Sequence, residues 1–297
     1  MASAEARAFW ERMRAAPKQI DLPLAARREA GEHAEDATAE PADVTFEPAP
    51  AVGGLWARPP DAGDGTAILY LFGGGYVLGS PASRRRTAGH IALAARAPVL
   101  VADYRLAPEH RYPCALDDAL AAFAWLKGQG YAADRIAIAG DSAGGGLAVA
   151  TAIAIRDAGL ARAGALVALS PWADLTCSGA SMSGNAASDV ECTREGLLAM
   201  AGDYLAGVDP RTPTASPVFA DLTNLPPLLC SVGGEEVLLD DSVRLVRSAG
   251  LAGTSAELRV VGGMQHVFPI WSGVFPEAAG EIAIIGRWIR DHLAPTL

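Results

Sequence analysis

The sequence predicts an α/β fold, a mostly parallel sheet with helices wound on both faces. Three observations carry that expectation. After about Val44, eight short β-rich runs alternate with helical runs. Several of the short runs are continuously apolar, the pattern of strands covered on both faces rather than on one. One of them, from Arg135 to Ala139, runs directly into Gly140-Asp141-Ser142-Ala143-Gly144 and then into a helical run of small residues. That is the layout of a sharp strand-to-helix turn that lifts one serine hydroxyl out of a sheet.

Taken in order, the predicted strands are 44–47, 54–58, 67–72, 99–102, 135–139, 165–169, 228–232 and 258–261. The predicted helices between and after them are 86–96, 115–127, 145–157, 241–249 and 276–292. Alternation of this kind implies right-handed crossovers and a doubly wound sheet. Two segments break the rhythm. Residues 1–40 carry Phe9, Trp10 and Met13 near one face of a helix, followed by a polar, Ala/Glu-rich stretch. Residues 176–216 read as helical only over 193–205 and close with Pro210, Pro213 and Pro217. Both are expected to cover the C-terminal edge of the sheet, where open α/β folds bind ligands.

Composition narrows the function. Of 297 residues, 51% are hydrophobic and 20% charged, which provides a sizeable core. A net charge of −10 argues against a nucleic-acid partner. Arg84-Arg85-Arg86 is the one basic cluster and reads as a solvated helix start. The N-terminus mixes Glu5, Arg7, Glu11, Arg12 and Arg14 with apolar residues, unlike a signal peptide. The longest near-apolar run, 143–155, falls short of the roughly 20 residues a membrane span needs. Cys114, Cys177, Cys192 and Cys230 are dispersed without metal-ligand spacing, so free thiols in a cytoplasmic setting are expected, and a Cys177–Cys192 disulfide has no support.

A serine hydroxyl is a poor nucleophile alone, so Ser142 requires a base, an acid and an oxyanion site. The chain order after such a turn is nucleophile, acid, histidine. Of five histidines, only His266 and His292 follow the later strands. His266 lies in a glycine-led loop directly after a strand and is the candidate base. His292 sits among charged residues in the terminal helix and reads as a surface residue. The acid belongs on the loop after 228–232, where Glu235, Glu236, Asp240 and Asp241 compete. The two aspartates stand where a helix begins and are expected to cap it or to interact with its dipole. Position alone does not separate Glu235 from Glu236. Oxyanion donors are expected from the N–H of Ala143 and from Gly73-Gly74-Gly75, which follows the 67–72 strand.

These residues, with Asp103-Tyr-Arg-Leu-Ala-Pro-Glu-His-Arg-Tyr-Pro113, Ser170-Pro-Trp-Ala-Asp174 and Glu236-Val-Leu-Leu-Asp240, make residues 65–295 resemble the hormone-sensitive-lipase-like family of α/β-hydrolases, the bacterial carboxylesterases. The resemblance implies an α/β-hydrolase fold with a mostly parallel eight-stranded sheet and a helical cap. It implies an N-terminal cap segment at 1–42 and a catalytic domain at 43–297, with a cap insertion at about 176–216. It picks Glu236 as the acid, in a slot the family usually fills with aspartate, and Gly74, Gly75 and Ala143 as oxyanion donors. The implied activity is hydrolysis of short- to medium-chain acyl esters through an acyl-enzyme, with no metal or organic cofactor. The expected partner is a small-molecule ester, and a homodimer is admitted by resemblance alone. A deacylase or amidase of secondary metabolism would use the same triad. A receptor or dehydratase on the same scaffold would alter one of its members.

One departure stands out. The family motif reads His-Gly-Gly-Gly, and this chain places Phe72 before the glycines. Phenylalanine packs but cannot hydrogen-bond, so the loop is expected to be held differently or held loosely. Asp141 is expected to bond local backbone at the turn. Tyr104, Arg105, Pro108 and Pro113 are expected to fix the loop after a strand. Trp172 and Trp271 are read either as core filling or as the wall of an acyl pocket.

Overall fold

A computed structural model describes residues 2–16, 22–63 and 65–294. Positions 1, 17–21, 64 and 295–297, which fall inside the expected cap and catalytic segments, lie outside the described residues. All eight expected strands form one sheet: β1 (Thr45–Ala49), β2 (Gly54–Arg58), β3 (Ala67–Leu71), β4 (Val99–Val101), β5 (Ile136–Asp141), β6 (Ala165–Leu169), β7 (Leu228–Gly233) and β8 (Ala256–Val261). Their order is β1-β2-β4-β3-β5-β6-β7-β8. β2 pairs antiparallel with both its neighbours, and every other pairing is parallel.

The apolar runs explain the centre of the sheet. Every residue of β3, β5, β6 and β7 is buried, which demands cover on both faces. The helices are α1 (Ala4–Ala15), α2 (Leu24–Glu32), α3 (Arg85–Ala95), α4 (Cys114–Gly128), α5 (Ala143–Asp157), α6 (Ser181–Gly184), α7 (Arg194–Leu205), α8 (Leu239–Leu251) and α9 (Pro276–Leu293). α3 packs on α9, while α4 packs on α5, which lies along β3, β5 and β6.

The two irregular segments are built into this frame. Ser3 Oγ caps α1, and its N–H and hydroxyl both reach Glu277 at the start of α9. Phe9 and Trp10 then bury against Phe275, and Phe9 against Trp271, with ring centroids 4.7–5.6 Å apart. α7 docks through Tyr204, whose ring stacks on Tyr76 at 3.9 Å and whose carbonyl accepts the Tyr112 N–H.

The arginine triplet is not a solvated helix start. Arg84 is buried and paired with Asp141, Arg85 pairs with Glu40, and Arg86 pairs with Glu40 and donates to the Thr38 carbonyl. A buried guanidinium needs a carboxylate, and the N-terminal segment and the β5 turn supply them. The four cysteines are free thiols. Among the described residues no helix is long and apolar enough to cross a membrane.

Candidate active site

Four loops leave the C-terminal edge of the sheet and meet: after β3, β5, β7 and β8. Ser142 lies directly after β5 at φ 54° and ψ −122°, a conformation that side-chain-bearing residues rarely hold. Its backbone is pinned on both sides. Its N–H donates to the Leu169 carbonyl at 2.8 Å, and its carbonyl accepts the Trp172 N–H at 2.9 Å. The neighbouring glycines are required by space. A Cβ on Gly140 would fall 2.2 Å from the Gly144 carbonyl oxygen, and one on Gly144 would fall 2.0 Å from that of Leu71.

His266 arrives on the loop after β8. Its Nε2 lies 2.9 Å from Ser142 Oγ, and its Nδ1 lies 2.7 Å from Glu236 Oε2. A carboxylate accepts only, so it fixes the proton on Nδ1 and leaves Nε2 free to accept from the serine. Glu236 is wholly buried, and its other oxygen accepts the Gly233 N–H at 2.6 Å and the Ser170 hydroxyl at 2.7 Å. Ser170 Oγ also accepts the Val267 N–H at 3.0 Å, tying the acid to the histidine loop. The 176–216 segment supports the acid from outside. Asn185 Nδ2 donates to the Gly234 and Glu236 carbonyls, and Asp189 Oδ2 accepts the Val237 N–H.

The other candidates lie elsewhere. Glu235 is half-buried, and its backbone bonds Met264 and Ser188. Asp240 and Asp241 do not cap α8, which begins at Leu239 without a side-chain cap. They reach across to the segment after β6, where Asp240 accepts the Ser181 N–H and Asp241 those of Ala173 and Asp174. His292 stacks on Trp288 within α9.

Burial works against a charged imidazole at His266. The Cys192 sulfur and the Glu236 carboxylate beside it outweigh burial, and the imidazolium is held well above the ordinary 6.5. Burial pushes the Cys192 thiol itself up to about 11.

The glycine loop is held without a histidine. Asp141 Oδ1 accepts the Gly73 N–H at 3.0 Å and the Tyr70 hydroxyl at 2.9 Å, while its Oδ2 accepts two bonds from Arg84, each 3.0 Å. Asp141 thus reaches beyond local backbone to β3, the glycine loop and the arginine. Phe72 stacks on Tyr104 at 4.2 Å, and the Tyr104 hydroxyl donates to the Phe72 carbonyl at 2.6 Å. Gly74 and Gly75 sit at φ 131° and 64°. Among the described residues, no acceptor takes up the N–H groups of Gly74, Gly75 or Ala143.

Ser142, His266 and the glycine loop open into a cavity of about 500 Å³. Its other walls are Met13 of α1, Arg27 and Gly31 of α2, Glu191 and Cys192, Leu197 and Met200 of α7, and Trp271. The two tryptophans divide: Trp271 lines this cavity, whereas Trp172 is fully buried and donates to the Asp174 carbonyl. Sequence reasoning missed Arg84, Asp189 and Glu191 and gave Ser170 no role. Only the Ser170-Pro-Trp motif carried a signal for any of these.

Comparison with known proteins shows the family. Residues 68–270 match the family described as having the alpha/beta hydrolase fold. The chain belongs to the α/β-hydrolases, in their hormone-sensitive-lipase-like branch. This α/β-hydrolase is 46% identical over 235 residues to the acetyl-hydrolase of Streptomyces hygroscopicus, covering 79% of this chain and 78% of that one. It is similar to the crystal structure of an esterase from the bacterial hormone-sensitive lipase family, with a TM-score of 0.94 and 39% identity over 99% of this chain and 100% of that one. It is similar in the same measure to EstE5, soaked with p-nitrophenyl butyrate, with a TM-score of 0.93, 39% identity and the same coverage.

Proposed function

We propose that this α/β-hydrolase is a serine carboxylesterase acting on short- to medium-chain acyl esters. The observation that carries the reading is the relay from Ser142 Oγ through His266 to a wholly buried Glu236, with spans of 2.9 and 2.7 Å. In this reading His266 Nε2 takes the serine proton as Oγ attacks the ester carbonyl. Glu236 stabilises the imidazolium that forms. The N–H groups of Gly74, Gly75 and Ala143 hold the oxyanion of the tetrahedral intermediate. The imidazolium protonates the departing alcohol, and water then repeats the sequence on the acyl-enzyme. Each step is assigned to a side chain or a backbone N–H, with no metal or organic cofactor.

A short acyl group is supported by the acetyl-hydrolase name of the Streptomyces relative and by the butyrate ester used with EstE5. Residues 1–42 and about 176–216 act as a cap over the catalytic domain. The lining of the cavity by Met13, Arg27, Leu197 and Met200 supports that role. The four free thiols suit a reducing cytoplasm. Ser142→Ala is expected to abolish turnover of p-nitrophenyl butyrate while leaving circular dichroism unchanged. Turnover equal to that of the parent would refute the assignment.

A further inference from the structure

The cavity holds a charge that neither the relay nor the fold uses. Glu191 opens onto it alongside Ser142 and His266, and its carboxylate makes no hydrogen bond or ion pair among the described residues. The residue is firmly presented. Asp189 Oδ1 accepts the N–H groups of Glu191 and Cys192, each at 2.8 Å, and Asp189 Oδ2 ties the same turn to Val237 beside the acid. Thr193 then caps α7 through a 3.1 Å bond from the Gly196 N–H. The backbone that carries the side chain is therefore held in place before any ligand arrives.

Its surroundings carry both signs of charge. The charged or titratable groups that act on it are His266, Asp189, Glu236 and Arg84. Arg84 is already taken by Asp141, and Glu236 by His266. Arg27 is the remaining cation of the cavity wall. Much of the rest of the wall is apolar (Met13, Leu78, Leu197, Met200, Ile270). Glu191 is itself open to solvent in this cavity, so a cation entering beside Ser142 meets a carboxylate that no protein group has neutralised.

We propose that Glu191 makes this cavity selective for esters that carry an ammonium or guanidinium group in the acyl or alcohol half, over neutral esters of the same shape. The inference rests on the esterase reading above and names its substrate class. Although Glu191 is open to solvent, the protein packed around the cavity raises its carboxyl to about 7, so the preference strengthens as pH rises through neutrality and the carboxylate forms. With a quaternary ammonium the substrate does not titrate, and protonation of His266 affects both members of an isosteric pair alike. The pH dependence of their ratio therefore reports Glu191.

The test uses two such pairs. Acetylcholine against 3,3-dimethylbutyl acetate places the charge in the alcohol. The p-nitrophenyl esters of 4-(trimethylammonio)butyrate and 5,5-dimethylhexanoate place it in the acyl group. Each ratio of kcat/KM is measured on one enzyme sample, so it is independent of the folded fraction. In Glu191→Gln the cationic-to-neutral ratio is expected to fall about tenfold for at least one pair, and to lose its rise with pH. Glu191→Lys is expected to lower the ratio further. Ratios in both variants equal to the parent's, for both pairs, would overturn the proposal. Should p-nitrophenyl butyrate itself go unhydrolysed by the parent, the esterase reading fails separately. Calorimetric binding of choline against 3,3-dimethylbutanol then decides the question of charge. A choline preference lost in Glu191→Gln supports the proposal, and equal binding overturns it.

Discussion

Asp141→Asn isolates what replaces the missing histidine before the glycine triplet. The aspartate accepts four hydrogen bonds, two from Arg84 and one each from Tyr70 and Gly73, all 2.9–3.0 Å. An asparagine of the same shape has one accepting oxygen and one donating nitrogen. If the oxygen faces Tyr70 and Gly73, the amide nitrogen faces the donors of Arg84. If it faces Arg84, the Gly73 N–H loses its acceptor. Neither orientation satisfies both sides. Arg84 has a side chain only 11% exposed, and removing one partner of a buried pair costs about 3–5 kcal/mol. The lower end applies here, because the charge of Glu35 also acts on Arg84. Urea unfolding is therefore expected to show a loss of about 3 kcal/mol. Gly73 precedes the two proposed oxyanion donors, so kcat on p-nitrophenyl butyrate is expected to fall by about ten- to a thousandfold in the folded enzyme. Stability within about 0.5 kcal/mol of the parent, with kcat unchanged, would refute the claim that Asp141 holds this loop.

Two further outcomes follow from the same geometry. Phe72→His is expected to change kcat/KM by less than about threefold, because Tyr104 already holds the residue's carbonyl and Asp141 the next N–H. A large gain in steady-state ester kinetics would mean that the native loop is poorly held. Because His266 must be neutral to accept the serine proton and its imidazolium is held above 6.5, the acidic limb of the kcat/KM profile is expected above that pH. Activity is then present above the limb and lost as pH falls through it. A limb below 6.5 would contradict the claim that the groups beside His266 outweigh its burial.

Much of this fold was legible because burial wrote it into the sequence. The runs at 54–58 and 165–169 coincide with β2 and β6, and the wholly buried strands β3, β5 and β7 fall within a residue or two of the expected spans. The edges were less clear. β8 begins at Ala256, not 258, because its residues are only half-buried or exposed and its start carries no apolar run. β1 extends to Ala49 through Pro48, a residue that lacks an N–H and is tolerated in a strand only at an edge or bulge. Within the site, Ser142 and His266 announced themselves through local motifs. Glu235 and Glu236 did not separate by position, because adjacent residues differ in where their side chains point and only the packed loop decides that. Arg84 lies 57 residues before Asp141, and no spacing rule links an arginine triplet to the turn it supports. Glu191 was silent for the same reason, since its place in the cavity depends on a turn set by Asp189.

The central claim is that three distant side chains converge on one nucleophile. Peptide mapping after treatment with a serine-reactive fluorophosphonate tests it most directly. The account predicts one adduct, on Ser142, formed by the parent and lost in His266→Ala and Ser142→Ala alike. Labelling of a different residue, or equal labelling of Ser142 without the imidazole, would contradict it.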